Sequence, residues 1–337
     1  MATLESIAQA AGVSKATVSL ALNGKPGVSP RTRQRILEIA KKLNYQPNAS
    51  AQGLAKQRTE TVGVIVPDIS SPFYAELVRG VEEEVSAHGY YLILCTTTGK
   101  PSREELYFQL FQTQRVDGII IMTPREDDRA LHQIHDKGFP IVVVDREVAS
   151  GDDIVEVLVD NFHGSIAAME HLLDLGYKRI GFINGVPSLA ASQERLRGYR
   201  LVLQEHDITP RDEWLCTANF REDGGYHCMR QLLSADPSLD AVFVASDLMA
   251  LGAIKALREE GKRVPDDIAI IGFDDIPLAS TFDPPLTTVR QPMEKMGAMA
   301  ARLLFQLING EKLLERKVIL QTELVVRASC GADYERR

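Results

Sequence analysis

The chain has 337 residues, 45% of them hydrophobic and 25% charged, with a formal charge of −8. That composition is ordinary for a globular protein long enough to hold two or three cores. No apolar run reaches the ~18–20 residues of a membrane span and no basic-then-apolar leader opens the chain, so a cytoplasmic protein with no membrane partner is expected.

Charge is unevenly placed. Residues 1–60 hold nine Lys and Arg against three Asp and Glu, a formal +6, whereas the remainder holds 29 against 43, or −14. A basic module on an acidic body predicts a polyanion partner for that end alone. Cys95, Cys216, Cys228 and Cys330 are scattered without a CxxC pair and are expected to be reduced, structural thiols. His132 and His135 stand at i, i+3, but Asp136 and Lys137 beside them favour a solvated helix face, as does the Glu82–Glu84 run. No metal and no cofactor is expected.

Within the basic module, Thr3 is placed to cap a first helix whose Leu4, Ile7, Ala8 and Ala11 share one apolar face. Gly12 ends that helix and Ser14 caps a second. In the second helix Val18, Ala21 and Leu22 point inward, while Lys15, Ala16, Ser19, Leu20 and Asn23 share the outer side. Two short helices joined by a Gly-containing turn make the helix-turn-helix pattern. Ser29-Pro30 starts a third helix, with Ile36, Ile39, Ala40 and Leu43 as its buried stripe. Small hydroxyls such as Thr17 and Ser19 suit phosphate oxygens, and the start of the second helix would reach base edges in the major groove.

The run LESIAQAAGVSKATVSLALNGKPGVSPRTRQRILEIAKKLNYQPNASAQGLA resembles the DNA-binding head of the LacI/GalR family of bacterial transcription regulators. The elements that carry the likeness are Ala-Gly-Val-Ser at 11–14, Ala16-Thr17-Val18-Ser19, Leu22-Asn23, Val28-Ser29 and Leu43-Asn44-Tyr45-Gln46-Pro47-Asn48. The resemblance implies DNA contacts from Thr3, Ser14, Lys15, Ala16, Thr17, Ser19, Leu20, Asn23 and Tyr45, with base readers at Lys15, Ala16 and Leu20. Leu20 departs from the polar or basic residue often found there; an apolar side chain touches a thymine methyl or leaves that base unread. Composition alone reads residues 48–60 as a flexible linker, because two helical turns containing Gly53 are not stable alone in water. The resemblance instead implies a hinge helix that folds when two subunits pair on DNA, with Leu54, beside Ala55, wedged into the minor groove.

From Thr61 onward, apolar runs alternate with amphipathic helical stretches. The runs are Val62–Val66, Tyr91–Cys95, Ile119–Met122, Ile141–Val144, Val155–Val159, Ile180–Ile183, Ala241–Ala245 and Ile268–Phe273. That alternation predicts parallel sheets covered on both faces, and Ser102 with Glu105 reads as a capping box. The number of units predicts two similar α/β lobes. The chain passes between them near Asp160–His163 and Thr288–Pro292, and the run Val318–Val326 is a candidate third crossing. Several runs end in a polar residue: Asp68, Asp145, Asp160, Asn184, Asp247 after Ser246, and Asp274. Each reads equally as a helix cap or turn former, but their repetition at strand ends points to a shared ligand crevice. Carboxylates there suit a neutral, hydroxyl-rich ligand.

The resemblance covers this part too, in segments such as VGVIVPDISSPFYAELVRGVE, PIVVVDREV, RIGFINGVPSLAASQERLRGY and VPDDIAIIGFDDIPLASTFDPPLTTVRQP. The expected fold class is therefore α/β: an N-terminal three-helix helix-turn-helix head plus a hinge helix, then a two-lobed periplasmic-binding-protein-like core of parallel sheets. The expected division is head 1–47, hinge and linker 48–60, one lobe 61–160 plus about 292–318, and the other 161–291 plus about 319–330. The resemblance implies effector contacts from Phe73, Tyr74, Asp145, Arg146, Asp160, Arg195, Phe220, Asp247 and Asp274. Leu189 stands where purine-responsive members place an arginine, which argues against a purine base. Met293–Gln306 lacks the Tyr-Asp pair of catabolite control proteins, which disfavours a protein corepressor. Without a trailing leucine heptad, a homodimer is expected rather than a coiled-coil tetramer.

The expected function is a sequence-specific transcriptional regulator, a repressor whose affinity for duplex, pseudo-palindromic operator DNA is controlled by a sugar-like effector. The alternative is a cytoplasmic sugar-binding protein whose head has lost DNA function, and Leu20 keeps it open. An enzyme is disfavoured, since no GxxxxGK[ST], GxGxxG or GxSxG motif and no nucleophile–base pair is found, so no catalytic residue is assigned.

Overall fold

The computed structural model describes residues 2–45, 58–113, 116–124, 129–148 and 153–332. Its contacts divide the chain into Met1–Thr59 and Glu60–Arg337.

The first unit contains α1 (Leu4–Ala11), α2 (Lys15–Leu22) and α3 (Pro30–Lys42). Thr3 and Ser6 close a reciprocal capping box at the start of α1. Gly12 ends α1 with φ 61, a left-handed conformation that a β-carbon disfavours. Ile7, Ala8, Ala11, Val18, Ala21, Ile36 and Ala40 form its core. Leu43, expected in that core, is 41% exposed. It sits at the C-cap of α3, where the helical phase that would turn it inward has ended.

The second unit contains β1 (Thr61–Val66), α4 (Pro72–Ala87), β2 (Tyr91–Thr96), α5 (Pro101–Gln112), β3 (Gly118–Ile121), α6 (Arg129–His135), β4 (Ile141–Val144), β5 (Val155–Val159) and α7 (Asn161–Asp174). It continues through β6 (Ile180–Asn184), α8 (Ala190–Glu205), β7 (Leu215–Thr217), α9 (Glu222–Ala235), β8 (Ala241–Val244), α10 (Asp247–Glu259) and β9 (Ala269–Asp274). The last elements are β10 (Thr287–Arg290), α11 (Met293–Ile308), β11 (Lys317–Leu320) and β12 (Glu323–Val325). Two six-stranded sheets result. One runs β11-β5-β4-β3-β1-β2 and is parallel throughout. The other runs β12-β10-β9-β8-β6-β7, with only β12 antiparallel. The chain crosses between sheets after β5, between β10 and β11, and between β11 and β12. Val- and Ile-rich central strands such as β4 and β9 are buried on both faces, as parallel sheets covered by helices require.

Three expectations are corrected. β2 is not covered on both faces: it is an edge strand with Tyr91, Ile93 and Leu94 exposed. Ser102 does not cap α5, because Pro101 already holds the first helical position and Lys100 the N-cap, which makes no side-chain bond. Finally, the cysteines are not all reduced. Cys216 on β7 and Cys228 on α9 form a disulfide, their Cα atoms 5.5 Å apart, within bridging range. A sequence separation of 12 gave no sign of it, since the pairing comes from the strand-to-helix connection. Cys95 and Cys330 are free thiols.

Candidate functional site

Two surfaces follow from the residues. The first is the outer side of α2. The Ser14 hydroxyl accepts from the Thr17 N–H at 3.1 Å and contacts the Thr17 hydroxyl at 2.9 Å, fixing the start of the helix. Lys15 and Ala16 are exposed in its first turn, and Lys15 lies 3.6 Å from Glu5 at the surface. Asn23 closes the helix by donating to the Ser19 carbonyl at 2.9 Å. Leu20 is half-buried and faces the Gly27 turn, where an added β-carbon would lie 3.7 Å from its Cδ1. Its apolar character is thus partly explained by packing. Thr3 is the α1 cap and Tyr45 packs half-buried against the head core, while Leu54 and Ala55 lie outside the described residues. Not every basic residue of the head is available to a polyanion. Arg33 donates to the Lys25 and Ala21 carbonyls and Arg35 to the Ala11 carbonyl, so both tie α3 to the helix-turn-helix. These partners are 8 to 24 residues away, which hid the role from local pattern. Removing the Ser14 cap by Ser14→Ala is expected to destabilise α2 by about 1 kcal/mol. A thermal melt of the full chain followed at head amides by NMR checks this; an unchanged head melting would refute it.

The second surface is a cavity of about 840 Å³ between the carboxyl ends of the two sheets, where parallel α/β folds bind ligands. Asp145 follows β4, Asp274 ends β9 and Gln291 follows β10, while Arg195 reaches in from α8. Arg195 is 3% exposed. Its guanidinium lies 3.7 Å from the Phe273 ring centroid and donates to Asn161 Oδ1 at 2.9 Å and to the Ala245 carbonyl at 2.5 Å. Burial pulls its pKa down, and the carboxylates of Asp274, Asp145 and Asp247 oppose that shift. Arg146 is held from behind by Glu104 at 3.7 Å and by the Thr123 carbonyl at 3.3 Å. Phe73 and Tyr74 form an edge-on pair on the opposite wall. Gln291 donates to Asp274 at 2.7 Å, and its buried Oε1 has no partner among the described residues.

The backbone is strained at the same place. Asp145, Phe220 and Asp274 have φ of 55, 60 and 120 without being glycine. Such conformations cost about 1–3 kcal/mol each and persist where the surroundings enforce them. For Phe220 the surroundings include Gly185: a β-carbon there would overlap the Phe220 ring. Gly185→Ala is therefore expected to displace the ring and weaken ligand binding, with little effect on operator binding without ligand. Isothermal titration with a sugar that raises the melting temperature of the wild type checks it, and unchanged affinity refutes it.

Burial governs the carboxyl groups. Asp274 is pushed up from 3.8 to about 7, opposed by Arg195 and the Gln291 hydrogen bond. Asp145 is pushed up to about 6, opposed by Arg195; it keeps solvent access through the cavity while protein surrounds it on most sides. Desolvation, and then the charges of Asp145 and Asp274, keep Tyr74 neutral far above its ordinary value. Since the folded state holds protons on Asp145 and Asp274 that the unfolded chain has lost, their stabilisation is complete below about pH 3.8. It is lost as pH rises through about 6 to 7. Melting temperature is expected to fall across that window, and less steeply in Asp274→Asn; parallel profiles would refute the assignment.

Two expected residues are elsewhere. Asp247 is fully buried and does not line the cavity: it accepts from Thr288 Oγ1 at 2.6 Å and from the Ile276 N–H at 2.9 Å. Its place behind the wall is filled at the cavity by Ser246 and Leu248. Asp160 caps α7 through the His163 N–H at 3.0 Å and lines an adjoining cavity of about 380 Å³ that shares Asp145, Glu147, Ala190 and Ala191 with the first. Gln291 and Asn219 also line the cavity; they follow β10 and β7, strands too short and too polar to stand out as apolar runs in the sequence. Among the described residues no His, Cys, Asp and Glu cluster has metal-binding form, and no helix is long and apolar enough to cross a membrane.

Residues 3–48 match the family described as bacterial regulatory proteins, lacI family, and residues 169–330 match the periplasmic binding protein-like domain. The chain is 38% identical over 333 residues to the HTH-type transcriptional regulator CelR of Thermobifida fusca, covering 97% of this chain and 98% of that protein. The chain belongs to the lacI family. It is 35% identical over 331 residues to the HTH-type transcriptional repressor PurR of Mannheimia succiniciproducens, covering 98% of each. Among solved structures, a CelR–cellobiose complex matches with a TM-score of 0.76 and 36% identity, covering 98% of this chain and 100% of that one. A lac repressor dimer bound to operator and the anti-inducer ONPF matches with a TM-score of 0.87 and 28% identity, covering 98% and 99%. As a lacI-family member, the chain is a DNA-binding transcriptional regulator with a core that takes a small-molecule effector.

Proposed function

We propose that this lacI-family regulator is a repressor working as a homodimer in the cytoplasm. It reads a pseudo-palindromic operator through α2 and takes a neutral, hydroxyl-rich carbohydrate effector in the 840 Å³ cavity. The cavity floor carries this reading. Asp145 and Asp274 accept from hydroxyls, and Arg146 and Arg195 donate to ring and hydroxyl oxygens. The cavity lining carries five acids, Asp68, Asp145, Glu147, Glu222 and Asp274, against three arginines, Arg146, Arg195 and Arg221, an acidic excess that disfavours an anionic ligand. Cellobiose in the CelR complex, and the ribose operon repressor of Halalkalibacterium halodurans at 37% identity, favour a sugar. For the dimer, the support is the apolar surface left on β2 and α5 by Tyr91, Ile93, Leu94, Leu106 and Leu110, more than scattered single exposures require.

The test is a thermal-shift screen of sugars and sugar phosphates, followed by operator affinity measured with each hit. Effector and operator must change each other's affinity by the same factor. No specific band shift with any fragment from the gene's own neighbourhood would remove the reading; sugar binding without DNA binding would leave a sugar-binding protein.

A further inference from the structure

The Cys216–Cys228 disulfide has a position that its sequence spacing does not suggest. It joins β7, the edge strand of its sheet, to the second turn of α9, and the residues between its ends include Asn219, Phe220 and Arg221, all on the cavity wall. Other ties on that stretch are few and local. The Ala218 N–H donates to the Asn184 carbonyl at 2.9 Å, and the Arg221 N–H donates to Asn219 Oδ1 at 3.0 Å. The Arg221 side chain reaches Asp68 across the cavity at 3.3 Å, an exposed pair worth little alone. The helix that follows starts at Glu222 with no side-chain cap, and Phe220 holds a left-handed backbone. With few hydrogen bonds of its own, this strained wall depends for its order on the covalent link at its ends, beside the packing of Phe220 on Gly185 and of α9 on α10.

We propose that Cys216–Cys228 is a reversible redox site that sets the order of this cavity wall, exchanging with a low-molecular-weight thiol–disulfide couple of the glutathione class. This rests on the reading of the cavity as the effector site. A thiolate of the small thiol attacks one protein sulfur, breaking the protein S–S bond and forming a mixed disulfide. A second thiolate attacks the mixed disulfide, releasing the small disulfide. Two electrons and two protons thus pass from two small thiols to the two cysteine sulfurs, and the reverse restores the bond. Both sulfurs are buried, so exchange proceeds through opening of the short edge strand β7, which pairs on one side only. In a reducing compartment a disulfide is a switch or a sensor more often than a fixed strut.

The full-length chain tests this without an effector or operator, so its failure is separate from failure of the repressor reading. The protein is equilibrated in glutathione buffers of graded reduced-to-oxidised ratio, and the dithiol fraction is read by alkylation and mass. Amide hydrogen exchange is then compared in the two forms. The expected result is reversible titration between the extremes, with exchange over 217–227 rising roughly tenfold on reduction while the β8 and β9 amides stay protected. A Cys216→Ser/Cys228→Ser double variant is expected to show the reduced pattern in every buffer. The proposal is overturned if the bond survives fully reduced glutathione, if the dithiol survives glutathione disulfide, or if reduction leaves exchange over 217–227 unchanged.

Discussion

Arg195→Met is expected to abolish effector binding and to destabilise the core by about 3–5 kcal/mol, the usual cost of deleting one partner of a buried charge group. The reasoning starts from what the guanidinium faces. It is 3% exposed, and Asp274, Asp145 and Asp247 are the carboxyl groups that act on it. Methionine keeps much of the volume and the contact with the Phe273 ring, so the loss is one of charge and hydrogen bonds rather than of packing. The Ala245 carbonyl and Asn161 Oδ1 would each lose a donor. The same account fixes the pH dependence. Arg195 lowers the pKa of both Asp145 and Asp274 against burial, so without it both acids hold their protons to higher pH. The penalty is therefore largest well above the Asp274 titration near 7 and shrinks as pH falls below about 6. Urea unfolding of wild type and variant at several pH values measures it. A loss under about 1 kcal/mol at alkaline pH would show that the guanidinium is not compensating these carboxylates. Arg195→Lys should recover part of the stability but little of the effector affinity, because an ammonium cannot reproduce the planar fork.

What the sequence made legible follows from the range of the interactions. Helix starts with a local signature, Thr3, Ser14 and Ser29-Pro30, hold in the structure because the cap oxygen and the N–H that donates to it lie within three residues. Ser102 failed for the same local reason, since Pro101 beside it is the stronger start. At the cavity, Asp145 and Asp274 come together because strand ends of parallel sheets converge, a rule of topology that reads from alternation of runs, whereas Arg146, Arg195 and Phe220 follow only from the family resemblance. The rule says where a residue is placed but not which way its side chain turns. Asp247 and Asp160 stand at equivalent strand ends, yet Thr288 and the Ile276 amide draw one behind the wall, and the start of α7 takes the other as a cap. The disulfide and the Arg33 and Arg35 braces depend on packing between elements distant in sequence, and no local pattern encodes them.

Gly252→Ala makes the sharpest stability test, because two physical effects predict opposite signs. In an exposed helix interior, alanine in place of glycine stabilises by about 1 kcal/mol through backbone entropy. Gly252 is inside α10, facing α9, where an added β-carbon would overlap the Glu222 carbonyl oxygen and lie 2.7 Å from the Tyr226 nitrogen. Gly225 makes the reciprocal approach from α9 to the backbone of Met249. Since the obstacles are main-chain atoms, no rotamer change makes room; the helices must separate, and the side chains between them lose packing. Overpacking of this kind costs about 1–3 kcal/mol or more, which exceeds the propensity gain. The expected result is a lower urea midpoint at unchanged m value, with the loss growing in Gly252→Val. An increase in stability on Gly252→Ala would mean that α9 and α10 do not meet backbone to backbone. The consequence reaches the cavity as well. Glu222, the residue Gly252 abuts, opens α9 directly after the wall carrying Phe220 and Arg221. Pushing α9 away from α10 should therefore weaken effector binding as well as lower stability.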